Sequence, residues 1–161
     1  MQSLNVDIFK SFGTDWALLT AGGPDNFNTM TISWGGLGTL WNKSVATVYV
    51  RPCRHTYRYM EENEYFTVSF YPDAYKGDLR TLGTLSGRDT DKVAQTGLTP
   101  VPAGESVTFA QAHTTLVCRK LYAQDMDPAA IPQDIMDRMY GGETPHRTYI
   151  GEVIEIIRQK R

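Results

Sequence analysis

The chain is poor in the residues that mark whole classes of protein. It has two cysteines, Cys53 and Cys118, in 161 residues, too few for a disulfide scaffold and without the CxxC or Cys/His spacing of a zinc site. Three histidines, far apart, assemble no Ser/His/Asp or Cys/His constellation. No apolar run approaches the roughly 18 residues of a membrane span, and the opening residues lack a basic flank followed by an apolar stretch, so neither a membrane nor export is expected. Positive charge is scarce too: 16 basic against 18 acidic side chains leave a formal charge of −2, which speaks against nucleic acid as the main partner. The nearly cysteine-free composition fits a reducing cytoplasm.

What is present suits one folded domain over residues 1–161, since 41% hydrophobic and 21% charged residues support a core at a length typical of single domains. Alternating, β-branched or aromatic runs at 16–21, 30–34, 45–50, 65–71, 114–123 and 147–157 predict strands. Gly22-Gly23-Pro24-Asp25, Gly35-Gly36-Leu37-Gly38 and Pro100-Val101-Pro102-Ala103-Gly104 read as turns or loops between them. Helical spacing predicts helices over 52–63, 73–85, 90–95 and 132–140. Residues 97–112 take no assignment. The fold class is mainly β, a β-rich α+β domain.

Three stretches carry candidate chemistry. A strand ending at Val50 runs into Arg51-Pro52-Cys53-Arg54-His55-Thr56, where a helix start offers free N–H groups, a hydroxyl and two guanidinium groups, a combination suited to phosphate. The competing reading leaves Arg51 and Arg54 solvated or paired with Glu61 and Glu62. Ser86-Gly87-Arg88-Asp89-Thr90-Asp91-Lys92 is either a second anion clasp or a solvated loop with Asp89 capping a helix. In Asn28-Thr29-Met30-Thr31-Ile32-Ser33-Trp34, alternation places Asn28, Met30, Ile32 and Trp34 on a packing face and Thr29, Thr31 and Ser33 in a row of hydroxyls, fitted to a polar heterocycle or simply to water. Neither a P-loop nor GxGxxG is present.

The order of these motifs, with Trp41-Asn42-Lys43, Phe66-Thr67-Val68-Ser69-Phe70 and Tyr149-Ile150-Gly151-Glu152-Val153, resembles the flavin reductase-like family, whose members bind FMN in a split β-barrel and include the flavoredoxins. The likeness spans most of the chain, and residues 111–144 contribute little to it. It implies an FMN-binding split β-barrel with short peripheral helices. It also implies that Thr31, Ser33 and the adjoining backbone hydrogen-bond the isoalloxazine with Trp34 close to the rings, that Arg54 and Thr56 hold the phosphate, that Ser86, Arg88 and Lys92 approach from another side, and that Asn28, Thr29, Met30, Val50, Arg51 and Gly87 also bind the cofactor. Lys92 near the ring would favour reduced flavin. His146 becomes the candidate catalytic residue as a nicotinamide neighbour, against a structural role ahead of a strand.

The implied activity is NAD(P)H-dependent: NADH or NADPH passes hydride to FMN, and electrons go on to free flavin or a downstream acceptor, in a homodimer with flavin near the interface. The alternative is a flavoredoxin-type carrier with tightly held FMN served by redox partner proteins. A binding module without redox turnover is the third reading.

Overall fold

The computed structural model describes residues 3–159. Among the described residues nine strands are present: β1 Ala17–Gly23, β2 Asn26–Ile32, β3 Gly35–Leu40, β4 Lys43–Val50, β5 Tyr65–Phe70, β6 Pro100–Ala103, β7 Ser106–Phe109, β8 Thr114–Asp125 and β9 Arg147–Arg158. Seven form one antiparallel sheet in the order β2-β1-β5-β8-β9-β4-β3, and β6 pairs with β7 alone. β2 and β3 lie at opposite edges of that order, yet only Ser33 and Trp34 separate them in the chain. Three residue steps reach no more than about 11 Å, so the sheet is rolled until its edges meet without forming a ladder. Register shifts at Val117/Cys118 and Lys120/Tyr122 in the long β8–β9 pair supply bends for this roll.

Inside the roll, Leu19, Ala21, Ala46, Val48, Val50, Phe66, Val68 and Leu116 make one core with Phe12 and Phe70. A second cluster, Leu18, Leu79, Leu82, Leu98 and Phe109, glues helix α3, Lys76–Thr84, and the β6–β7 hairpin to the outer face of β1. Leu18 and Leu19 thus serve opposite cores, as strand alternation requires.

All six expected strands are present, and the structure adds three. β3, read from sequence as a glycine loop, pairs with β4 through a two-residue turn in which Trp41 and Asn42 both have positive φ, 51° and 58°, the geometry whose twist suits a hairpin. β6 and β7 fill much of 97–112, and Pro100–Ala103, read from sequence as a loop, is a strand because it pairs with β7. Pro100 and Pro102 sit in β6, an edge strand that can spare their missing N–H groups.

The helices are shorter than periodicity predicts. Residues 52–54 form a turn, and α2 runs over His55–Glu62. The expected 73–85 helix is a 3₁₀ turn, Asp73–Tyr75, followed by α3, Lys76–Thr84. The 90–95 helix is a single 3₁₀ turn, Val93–Gln95. The 132–140 helix opens with one α-turn, α4, Gln133–Ile135, and widens into a π-helix over Met136–Tyr140. An unforeseen α1, Ile8–Gly13, is capped by Asp7, which accepts from the Lys10 N–H at 3.1 Å. Among the described residues no helix is long and apolar enough to cross a membrane.

Candidate functional site

β4 delivers the chain into α2, and α2 packs against β1 and β2, so the helix start stands beside the edge strand where the roll fails to close. The Arg54 carbonyl accepts from the Tyr57 N–H at 3.1 Å, and no side chain caps the helix. The N–H groups of His55 and Thr56 are therefore available at the positive end of the helix dipole. They open into a hollow of about 320 Å³ walled by α2's start, Asn28 and Met30 of β2, and the loop Leu85–Asp89.

The donors around this hollow are unusually uncompensated. Among the described residues, neither the Arg54 nor the Arg88 guanidinium has a hydrogen bond or ion pair. Lys92 is 5% exposed; burial first, and then the Arg54 charge, lower its pKa to about 8. Burial and the charges of Arg88, Arg58 and Lys92 likewise lower that of His55. Asp89, the carboxylate among the lining residues, acts the other way on His55, and the cations that outnumber it favour an anion in the hollow. Asn28 Nδ2 donates to Thr56 Oγ1 at 2.7 Å, which uses the oxygen as acceptor and leaves the hydroxyl proton for a further partner. Gly87 closes the wall so tightly that a Cβ there would stand 2.2 Å from Asn28 Oδ1, and its lack of a side chain lets the loop backbone reach the cavity.

A second hollow of about 290 Å³ continues from the first through Met30, Arg51 and Arg54, and is bordered by Thr31, Ser33, Trp34, Tyr49 and His146. Its mouth is aromatic: Trp34, 47% exposed, lies 5.3 Å from the His146 ring. Tyr140 shares a 2.7 Å hydrogen bond with His146 Nδ1. Burial, then Arg51 and Arg54, lower the His146 pKa to about 4, so the imidazole is neutral at pH 7.

The structure brings together Asn28, Met30, Thr31, Ser33, Trp34, Arg51, Arg54, Thr56, Ser86, Gly87, Arg88, Lys92 and His146 around the joined hollows. Several expectations need correction. Thr29 is fully buried, sharing a 2.8 Å hydrogen bond with Thr20 and donating to the Leu19 carbonyl, and Thr31 donates its hydroxyl to the Leu79 carbonyl of α3. Of the expected row of hydroxyls, Thr29 and Thr31 are thus spent inside the fold while Ser33 borders the second hollow, and Asn28 and Met30, assigned to the packing face, line the cavity as well. Val50 is wholly buried in the core and lines neither hollow.

Arg51 borders both hollows, but its guanidinium is held by the Met139 carbonyl at 2.7 Å and Glu143 at 3.2 Å and lies over the Tyr140 ring. It pairs with neither Glu61 nor Glu62, which engage Arg147 and Arg58. Lys92 belongs to the helix-start hollow rather than the aromatic one, and donates to the Leu82 and Leu85 carbonyls at 2.9 and 3.1 Å. Sequence reasoning left His55 as a surface residue and overlooked Tyr49 and Tyr140. No local motif marks the tyrosines, whereas His55, as the first residue of α2, had a positional signal.

Comparison with known proteins places this geometry. Solved structures of the same fold include a flavoredoxin of Desulfovibrio vulgaris (Miyazaki F), 22% identical with a TM-score of 0.71 over 99% of this chain and 77% of that one. An FMN-binding protein from Thermus thermophilus is 18% identical, TM-score 0.70, over 98% and 80%. A Shewanella frigidimarina protein with a split barrel domain is 14% identical, TM-score 0.72, over 91% and 68%. These structural similarities establish a shared fold, the split barrel. No curated protein sequence matches significantly. The model of the family described as flavin reductase like domain matches residues 9–160, and the chain therefore belongs to the flavin reductase-like family.

Proposed function

We propose that this domain binds FMN and works as an NAD(P)H-dependent oxidoreductase that hands electrons to free flavin or to a downstream acceptor. The observation that carries the reading is the unpaired Arg54 guanidinium at the bare start of α2, opening without a break into an aromatic-mouthed hollow. The two joined hollows fall in the size range of small-molecule sites. FMN binding by the Thermus thermophilus protein of the same fold supports the choice of anion.

In this reading Arg54, Thr56 and the His55 and Thr56 N–H groups hold the phosphate, and Arg88 and Ser86 close over it from the loop. Met30, Ser33, Trp34 and Tyr49 border the ring system. Bound FMN supplies the hydride-accepting and electron-passing chemistry. The residues contribute position: neutral His146, oriented by Tyr140 and flanked by Trp34, presents an uncharged ring beside the space where a nicotinamide has to lie, and Arg51, tied to Glu143 and Met139, keeps the 133–143 segment against it. The chain pairs as a homodimer, to which the exposed, edge-on Trp41 and Tyr122 rings contribute apolar surface.

Anaerobic mixing of the FMN-loaded protein with NADH or NADPH tests the activity: bleaching of the flavin absorbance within seconds is expected. Protein that takes up no FMN sinks the reading. Uptake with slow reduction that a redox protein accelerates favours the carrier role of the Desulfovibrio vulgaris flavoredoxin instead.

A further inference from the structure

His146 has two ring nitrogens, and their surroundings differ. Nδ1 shares the 2.7 Å hydrogen bond with the Tyr140 hydroxyl. Nε2 has no partner among the described residues and is not buried, on a side chain that lines the hollow beside Trp34. Which nitrogen carries the proton of the neutral ring follows from what surrounds Tyr140. Tyr140 is 7% exposed, so water has little access to it. Besides His146, the acceptor in reach of its hydroxyl among the described residues is Met126 Sδ, at 4.0 Å, and a thioether accepts weakly. Were Nδ1–H to donate to the phenol oxygen, the phenol proton would be left with that sulfur, as a buried donor close to unsatisfied. With the phenol donating to Nδ1 instead, its proton has a partner at 2.7 Å, and the imidazole proton sits on Nε2. A ring protonated on both nitrogens is opposed by burial and by the charges of Arg51 and Arg54.

A local departure from α-helix delivers Tyr140. The π-turn Met136–Tyr140 closes with the Gly141 N–H donating to the Met136 carbonyl at 3.0 Å, and Gly141 is left-handed, φ 53°. This wider turn buries Tyr140 while Met139 stays exposed, and the Arg51 guanidinium lies 5.1 Å over the Tyr140 ring. Building on the flavin reading, we infer that Tyr140 is a positioning residue that holds His146 as its Nε2–H tautomer. The mouth of the ring hollow then offers a hydrogen-bond donor beside the Trp34 ring, and it selects flat ring ligands that present a carbonyl oxygen there. The residue that sets this selection comes from 111–144, the stretch that contributes little to the family likeness.

Nitrogen NMR of the imidazole in the FMN-free protein tests the tautomer independently of the flavin. At pH 7 Nε2 is expected at the shift of a protonated nitrogen and Nδ1 at that of a bare one. Tyr140→Phe, which removes only the hydroxyl, is expected to give a mixture of tautomers, whereas Met126→Leu leaves the wild-type spectrum. A protonated Nδ1 in the wild type, a single unaltered tautomer in Tyr140→Phe, or a switch in Met126→Leu overturns the inference. Ligand selection is read on the FMN-loaded protein. Nicotinamide and acetylpyridine, which share a carbonyl on the ring, are expected to bind about three- to tenfold tighter than methylpyridine, and Tyr140→Phe shrinks that preference. Equal binding of all three overturns the selection. The Nε2–H tautomer in a protein that takes up no FMN keeps the Tyr140 assignment and removes the flavin reading.

Discussion

Asn28 of β2 and Thr56 of α2, 28 residues apart in sequence, are joined by a 2.7 Å hydrogen bond in a buried position. The bond fixes which way the threonine hydroxyl points: its oxygen is taken by the amide, so its proton is left for the helix-start hollow. One side chain on the edge strand thereby orients a donor on the helix.

Thr56→Val removes that donor and strands the Asn28 amide, at a cost of about 1–3 kcal/mol. Both FMN affinity and thermal stability are expected to fall. Asn28→Asp keeps an acceptor for the threonine but drives its proton away from the hollow, so FMN affinity falls further than stability. Equal losses in the two variants, measured by flavin fluorescence titration and thermal melts, would contradict the orienting role.

Gly87→Ala puts a methyl group 2.2 Å from Asn28 Oδ1 and 3.3 Å from the His55 ring. Backbone has to shift outward, since the amide is already committed to Thr56. FMN binding is expected to weaken by on the order of tenfold, about 1.4 kcal/mol, while the melting temperature barely moves, because Gly87 lies in a loop outside both cores. Equilibrium dialysis beside a thermal melt checks the separation.

Lys92 closes the end of α3 by donating to two carbonyls. Lys92→Met leaves those acceptors unsatisfied in a buried setting, which costs about 1–3 kcal/mol of stability. Because Lys92 borders the helix-start hollow and not the one beside Trp34 and His146, FMN affinity is expected to drop while the flavin midpoint potential changes little. A large potential shift in spectroelectrochemical titration would return Lys92 to the ring.

His146 supplies a pH dependence whose sign follows from its lowered pKa of about 4. The folded chain holds this imidazole neutral where the unfolded chain, with a value near 6.5, is protonated. Unfolded protein thus binds more protons between those values, and stability falls as the pH drops from about 6.5 toward 4. His146→Gln is expected to flatten that slope in denaturant titrations. FMN should raise the histidine's pKa, since phosphate offsets the Arg51 and Arg54 charges that help to lower it; NMR titration of the imidazole with and without FMN reads this directly.

Strands were legible where both faces are buried or alternate cleanly, as at 45–50 and 65–71, because burial writes itself into the choice of Val, Phe and Tyr. β3 was not, since its Gly35, Gly36 and Gly38 carry no side-chain pattern; its pairing partner β4 and the turn at Trp41-Asn42 make it a strand. The phosphate-suited start of α2 and the Ser86–Lys92 loop were visible as local chemistry, and both line one hollow.

The amino-acid sequence by itself determined the alternation that builds the sheet, the cation-rich helix start and membership in a family. Tertiary structure alone decided that Asn28 and Met30 of β2 line the site, that Thr29 and Thr31 spend their hydroxyls on Thr20, Leu19 and Leu79, and that the carboxylate facing Arg51 is Glu143. Alternation tells two faces apart but not which of them is covered. That depends on which element packs there, and here α3 covers one side of β2 while the rolled edge of the sheet leaves the other open.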